Sequence, residues 1–186
     1  MIKAILEYFN KLWYNLCRIE GRVKSMNNVY SANDIATFIL CWFASRDKNI
    51  TNLKLQKLLY FCEAYYMNLT GKSQLFDDNF NALTYGPVAL NVYNKYKSFL
   101  NHPIVINQDE CRDIDNPDVK QSVEKTCEFF GNFSSSYLVA LTHLKNSPWN
   151  KVWHKNGETS NYGKDGIISK EETKSWFRKE FLDESE

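Results

Sequence analysis

The side chains best equipped for nucleophilic or metal chemistry in this chain are five cysteines and three histidines. A thiolate beside an imidazole can attack a carbonyl, and thiolates with imidazoles bind zinc. The spacing supports neither. Cys17, Cys41, Cys62, Cys111 and Cys127 are odd in number and form no CxxC or CxxH pair. His102 precedes a proline, His143 falls in a predicted helix, His154 falls in a predicted turn, and no two stand at i, i+4. No catalytic residue, metal site or cofactor is expected, and a Cys/His hydrolase is the weakest functional reading. The paired acids have local explanations: Asp77-Asp78 begins a turn, and Glu171-Glu172 opens a helix where carboxylates suit the dipole. The seven glycines are scattered and form no phosphate-binding loop.

A more informative grouping lies in TNLKLQKLLYFCEAYYMNLTG, residues 51–71. Thr51 is a good N-cap, Gly71 a helix stop, and the intervening helix is apolar on nearly every side, as a central core helix must be. Gln56, Tyr60 and Glu63 stand at i, i+4 and i+7 and share one face. They either line a groove or form an internal network that satisfies backbone groups of a neighbouring strand and turn. The internal network is the preferred reading. It predicts that Gln56 and Glu63 are buried and hydrogen-bonded near the Tyr85-Gly86-Pro87 turn. Tyr65, Tyr66, Tyr85, Tyr93 and Tyr96 are expected to bury their rings while their hydroxyls find partners.

The elements around this helix must come from a chain of 186 residues, enough for one well-packed domain. Residues 2–17 place Ile2, Ile5, Leu6, Phe9, Leu12, Trp13 and Leu16 on one amphipathic stripe, and a linker follows to residue 28. Ser31 and Asp34 form a capping box ahead of Ile35, Phe38, Ile39, Trp42 and Phe43. Alternation over residues 80–85 predicts a short strand ended by Gly86-Pro87, with Pro87 opening a helix to about Leu100. An acidic loop covers 101–116. Helices are predicted from Pro117 to Gly131, from Ser134 or Ser135 to about Lys145, and from Ser169 through Trp176, Phe177 and Phe181; SPWNKVW reads as a turn and residues 183–186 as an acidic tail. The fold class is mainly α: a compact single-domain bundle of about six helices with one short β segment, plus the N-terminal amphipathic helix.

Charge weighs against some functions, a DNA-binding repressor among them, without excluding them. Lys plus Arg number 23 against 22 Asp plus Glu, so no bulk attraction draws the chain to nucleic acid or anionic lipid, and a DNA-binding repressor lacks its basic face. No stretch reaches the roughly 18 uninterrupted apolar residues of a membrane span. Unpatterned cysteines in apolar helices suggest packing groups in a reducing cytoplasm.

Three motifs occur in order: Leu55-Gln56-Lys57-Leu58-Leu59-Tyr60; Tyr85-Gly86-Pro87-Val88 with Val92-Tyr93 and Tyr96; and His143 ahead of Pro148-Trp149. Over residues 29–182 the chain thereby resembles the SocA-like Panacea antitoxin family. It departs from the family pattern at Asn81, Leu83 and Leu90, where an acidic residue, a tryptophan and a proline are usual. The resemblance implies a non-enzymatic antitoxin of a bacterial or phage two-gene system that neutralises a cognate toxin by direct contact. It also brings in an alternative, an adaptor that delivers the toxin to a protease. Gln56, Lys57, Tyr60, Glu63, Tyr85, Gly86, Pro87, Tyr93, His143 and Trp149 are then structural motif residues. Residues 1–28 are the candidate for partner choice, with Ile5, Phe9, Leu12, Trp13 and Leu16 as toxin contacts. The same stripe could instead dock on its own domain or lie on a membrane.

Overall fold

The computed structural model describes residues 30–183, so the stripe on residues 2–17, Cys17 and the tail beyond Asp183 lie outside the described residues. The elements run α1 (Ala32–Ala44), α2 (Asn52–Thr70), β1 (Phe80–Leu83), β2 (Gly86–Ala89), α3 (Leu90–Tyr96), α4 (Pro117–Phe130), α5 (Ser135–Thr142), α6 (Pro148–Lys155) and α7 (Lys170–Phe177). A π-helical turn, Arg178–Leu182, extends α7.

Local chemistry sets most of these boundaries. Ser31 and Asp34 close the expected capping box of α1. The Thr51 side chain accepts from the Lys54 N–H at the start of α2, and Gly71 ends the helix at φ +75° with its N–H on the Met67 carbonyl. Asn116 caps α4, with Pro117 in the first turn. Helix α2 is the axis of the domain, buried on most of its surface and packed by α1, α4, α5, α7 and the hairpin. Its Phe61 stacks on Phe130 of α4 at 4.2 Å between ring centroids, and Phe177 and Phe181 close the cluster.

Four expectations are corrected. Pro87 does not open a helix; it lies in β2, which pairs antiparallel with β1 in the register Phe80 to Ala89 and Leu83 to Gly86. Proline is admissible because this is an edge strand, and its missing N–H disturbs no ladder further on. The stretch SPWNKVW is helical: Ser147 caps α6 and Pro148 takes its first position. His143 is the C-cap of α5, whose last turn ends at Thr142 rather than near Lys145. Cysteine is not only a packing group: Cys62 and Cys127 are buried free thiols, but Cys41 and Cys111 form a disulfide that ties the 101–116 loop to α1.

Candidate functional site

The polar face of α2 is buried, and each member has its own partner. Gln56 Oε1 accepts from the Ala89 N–H at 2.9 Å, the N-cap position of α3. Its amide nitrogen donates to Asn52 Oδ1 at 3.1 Å, and Asn52 donates to the Tyr93 carbonyl at 3.3 Å. One glutamine therefore fixes the junction between β2 and α3. The Tyr60 hydroxyl meets Thr173 Oγ1 at 3.2 Å, and its ring lies edge-on to Phe80 at 5.2 Å. Burial pushes the Tyr60 phenol up, so it stays protonated.

Glu63 departs from the expectation. It is buried, but its partner is Lys170 of α7 at 2.9 Å, not the hairpin turn. Residues at i and i+7 are two helical turns apart, about 10 Å along the axis, so a single turn cannot serve both. Burial outweighs the lysine and raises the Glu63 carboxyl from 4.5 to about 7. Lys170 also donates to the Phe76 carbonyl, which binds α7 to the segment before β1.

Lys57 is the unexpected group. It is fully buried, and its Nζ donates to the Pro87 carbonyl at 2.7 Å. Burial pushes its amine well below the ordinary lysine value. Gly86 passes so close that a Cβ there would lie 2.6 Å from Thr142 Oγ1 and 2.8 Å from Lys57 Nζ, at a φ of +100°. On the other side of the turn, Trp149 Nε1 donates to the Leu83 carbonyl at 2.9 Å. His143 stacks on Trp149 at 3.5 Å between centroids, and Trp153 continues the stack at 5.2 Å. Burial, aided by the Lys57 charge, lowers the His143 imidazole to about 4, so it is a neutral ring at physiological pH. The three sequence motifs thus meet at one place, where they hold a hairpin.

Asn81 donates from its side chain to the carbonyls of Asn161 and Gly163 and so pins the 161–168 segment along β1. Asp78 accepts from the Ala32 N–H and the Asn91 amide, joining α1 to α3, while Asp77 is bonded by Gln74. Among the described residues no group of three or more His, Cys, Asp or Glu is placed to hold a metal ion.

Beside the hairpin an apolar cleft of about 570 Å³ opens between the first turn of α2, the hairpin turn, the end of α3 and the Ser160–Tyr162 loop. Its floor is Asn52, Leu53, Gln56, Leu83 and Val88. Its rim carries Tyr85 (65% exposed), Tyr93 (38%), Tyr162 (63%) and Leu100 (75%). Tyr85 and Tyr93 were expected to bury their rings and do not. Tyr96 does, but its hydroxyl has no hydrogen-bond partner among the described residues. Tyr162 and Leu100 were not foreseen. The available signal for Tyr162 was a lone aromatic in the polar loop NGETSNYGKDG.

A family model described as antitoxin SocA-like, Panacea domain, matches residues 55–150, the stretch that contains most of α2, the hairpin, α3 and the start of α6. Antitoxin SocA of Caulobacter vibrioides (strain NA1000 / CB15N) is 31% identical over 144 residues, which cover 71% of this chain and 74% of that protein. No solved structure matches.

Proposed function

The chain belongs to the SocA-like Panacea antitoxin family, and from that premise we propose that it neutralises a cognate toxin by direct protein contact, without catalysis of its own. The observation that carries this reading is the fate of the motif residues. Gln56, Lys57 and Tyr60 bond to the hairpin and α7, Glu63 pairs with Lys170, and Trp149 bonds to β1. Groups tied up in this way maintain a shape; they do not wait for a substrate. Buried networks of this kind rigidify a scaffold and fix one arrangement of its surface.

In this reading residues 29–182 form the antitoxin domain, residues 1–28 an appended arm, and 183–186 a polar tail. The arm supplies Ile5, Phe9, Leu12, Trp13 and Leu16 as apolar anchors, since aromatic and large aliphatic groups dominate interface energetics. The protein acts in the cytoplasm, and among the described residues no helix is long and apolar enough to cross a membrane. In a reducing compartment the Cys41–Cys111 bond is open to thiol exchange.

Co-expression with the product of the adjacent reading frame tests the proposal. Growth arrest by that product alone and its relief by this chain is the expected result. Phe9→Ala with Trp13→Ala should abolish relief, while Lys3→Ala with Lys11→Ala should change it little. Relief that persists when the two proteins form no complex would overturn direct contact. Relief that requires an intact cellular protease would place the chain with the delivery adaptors instead.

A further inference from the structure

The Cys41–Cys111 bond differs in setting from the other described cysteines. Cys62 and Cys127 are buried, and burial pushes both thiols up, so they are inert packing groups. Cys41 and Cys111 are only half-buried, and they line a cavity of about 380 Å³ between α1, α4 and the 101–116 loop. A small thiol has room to enter. Arg46 lies over the Trp42 ring at 3.7 Å and Arg112 is bonded to the carbonyls of Asp109 and Cys111, so both guanidinium groups on this cavity lack a carboxylate partner among the described residues. Of the two carboxylates on the same cavity, Asp113 is paired with Lys120 at 2.8 Å and Glu124 remains. Cations beside a sulfur favour the thiolate, which is both the attacking and the leaving species in disulfide exchange.

The bond also holds something specific. The loop is anchored at both ends: Ile104 is buried with its N–H on the Ile50 carbonyl at 2.9 Å, and Ile114 is buried ahead of α4. Among the described residues, 105–112 hydrogen-bond only to one another, through Asn107 with Glu110, Gln108 with Cys111 and Asp109 with Arg112. Apart from the packing of Ile106, Cys111 alone ties this strap to the body of the domain. We propose that Cys41–Cys111 is a site of reversible exchange with a low-molecular-weight thiol and its disulfide, and that its state decides whether the 105–112 strap is closed on α1 or released. The small thiolate attacks one protein sulfur, the Cys41–Cys111 bond breaks, and the other protein sulfur leaves as a thiolate and takes a proton from water. A second small thiolate attacks the mixed disulfide, frees the remaining cysteine and departs as the small-molecule disulfide, so the protein is reduced by two electrons and the small thiols are oxidised by two. The reverse sequence closes the strap. Ile104 and Ile114 hold its ends in either state, so the fold persists while the surface beside α1 changes. Antitoxin action is not required for this chemistry, and each can fail without the other.

Incubation of the full chain, carrying Cys17→Ser, with reduced or oxidised glutathione in the absence of denaturant tests it. Native alkylation read by peptide mass spectrometry identifies the free thiols, and brief digestion with a glutamate-specific protease reports on the strap. Millimolar reduced glutathione should open Cys41 and Cys111 to alkylation while Cys62 and Cys127 stay protected and circular dichroism keeps the folded signal. Cleavage after Glu110 should then become at least tenfold faster, with cleavage after Glu124 in α4 still slow, and excess oxidised glutathione should reverse both changes. Cys111→Ser should be cut rapidly after Glu110 in either buffer. A bond that opens only when the chain unfolds, or cysteines that never crosslink, would overturn the exchange site. Reduction that leaves the cleavage rate after Glu110 unchanged would overturn the release of the strap.

Discussion

Gly86→Ala probes the packing that joins the three motifs. The added Cβ would stand 2.6 Å from Thr142 Oγ1 and 2.8 Å from Lys57 Nζ, both shorter than any tolerable contact, in a backbone held at φ +100°. The conformational strain costs about 1–3 kcal/mol. Displacing packed neighbours costs roughly another 1–3 kcal/mol, because interiors relax only in part. The neighbours cannot move freely: Lys57 is held by the Pro87 carbonyl at 2.7 Å and Thr142 by the Val139 carbonyl at 2.8 Å. The sum is roughly 2–6 kcal/mol, a large share of the 5–15 kcal/mol that typically separates folded from unfolded states. At about 2–4 °C per kcal/mol for a chain of this size, a midpoint near 4 kcal/mol lowers Tm by roughly 8–16 °C. Gly71→Ala is the matched control. Gly71 also has positive φ, at +75°, but a Cβ there meets nothing within 4 Å. It should bear only the left-handed backbone cost, about 1–2 kcal/mol. Thermal unfolding followed by circular dichroism compares the two. Equal losses of Tm would refute the close approach of Lys57 and Thr142 to the hairpin.

The disulfide closes a loop with a sequence separation of 70, so Cys41→Ser, or reduction of the wild type, should lower stability by up to about 4 kcal/mol on the loop-entropy account. An unchanged urea midpoint with and without reductant would contradict the crosslink. Glu63 has its carboxyl raised from 4.5 to about 7, so the native state binds the proton more tightly than the unfolded state between those values. Its contribution is full below about pH 4.5 and is lost as pH rises through 7. Relative to the wild type, Glu63→Gln should therefore gain stability with rising pH over that window, and a flat difference would refute the assignment. Cys62→Ala should lower Tm through lost packing yet leave toxin protection intact at permissive temperature; protection lost in a folded variant would revive thiol catalysis.

Helices α1, α2 and α4 were legible because their caps are local: Ser31 with Asp34, Thr51 with Gly71, and Asn116 with Pro117 lie within one turn of the ends they define. Pro87 was not, because Gly-Pro suits both a helix start and an edge strand. The choice is made by Gln56 and Lys57, some 30 residues away, which bond to Ala89 and Pro87. The same distance problem hid the partner of Glu63, which lies on α7, and the pairing of Cys41 with Cys111. SPWNKVW reads as a turn, yet it carries a helix start in Ser147-Pro148, and α6 begins there. The burial of Gln56, Tyr60 and Glu63 followed correctly from their place on an all-round apolar helix. The cleft could not follow, since it is made where Tyr85, Tyr93, Leu100 and Tyr162 arrive from separate elements.

Direct neutralisation is tested most plainly by stoichiometry. Purified product of the adjacent reading frame, assayed for its own activity, is titrated with this chain, and the mixture is then separated by size-exclusion chromatography. The account predicts inhibition that reaches completion near a fixed molar ratio, a co-eluting complex, and recovered toxin activity once the complex is dissociated. Complete inactivation by a trace of this chain, persisting after its removal, would contradict a binding antitoxin and show that it acts as an enzyme.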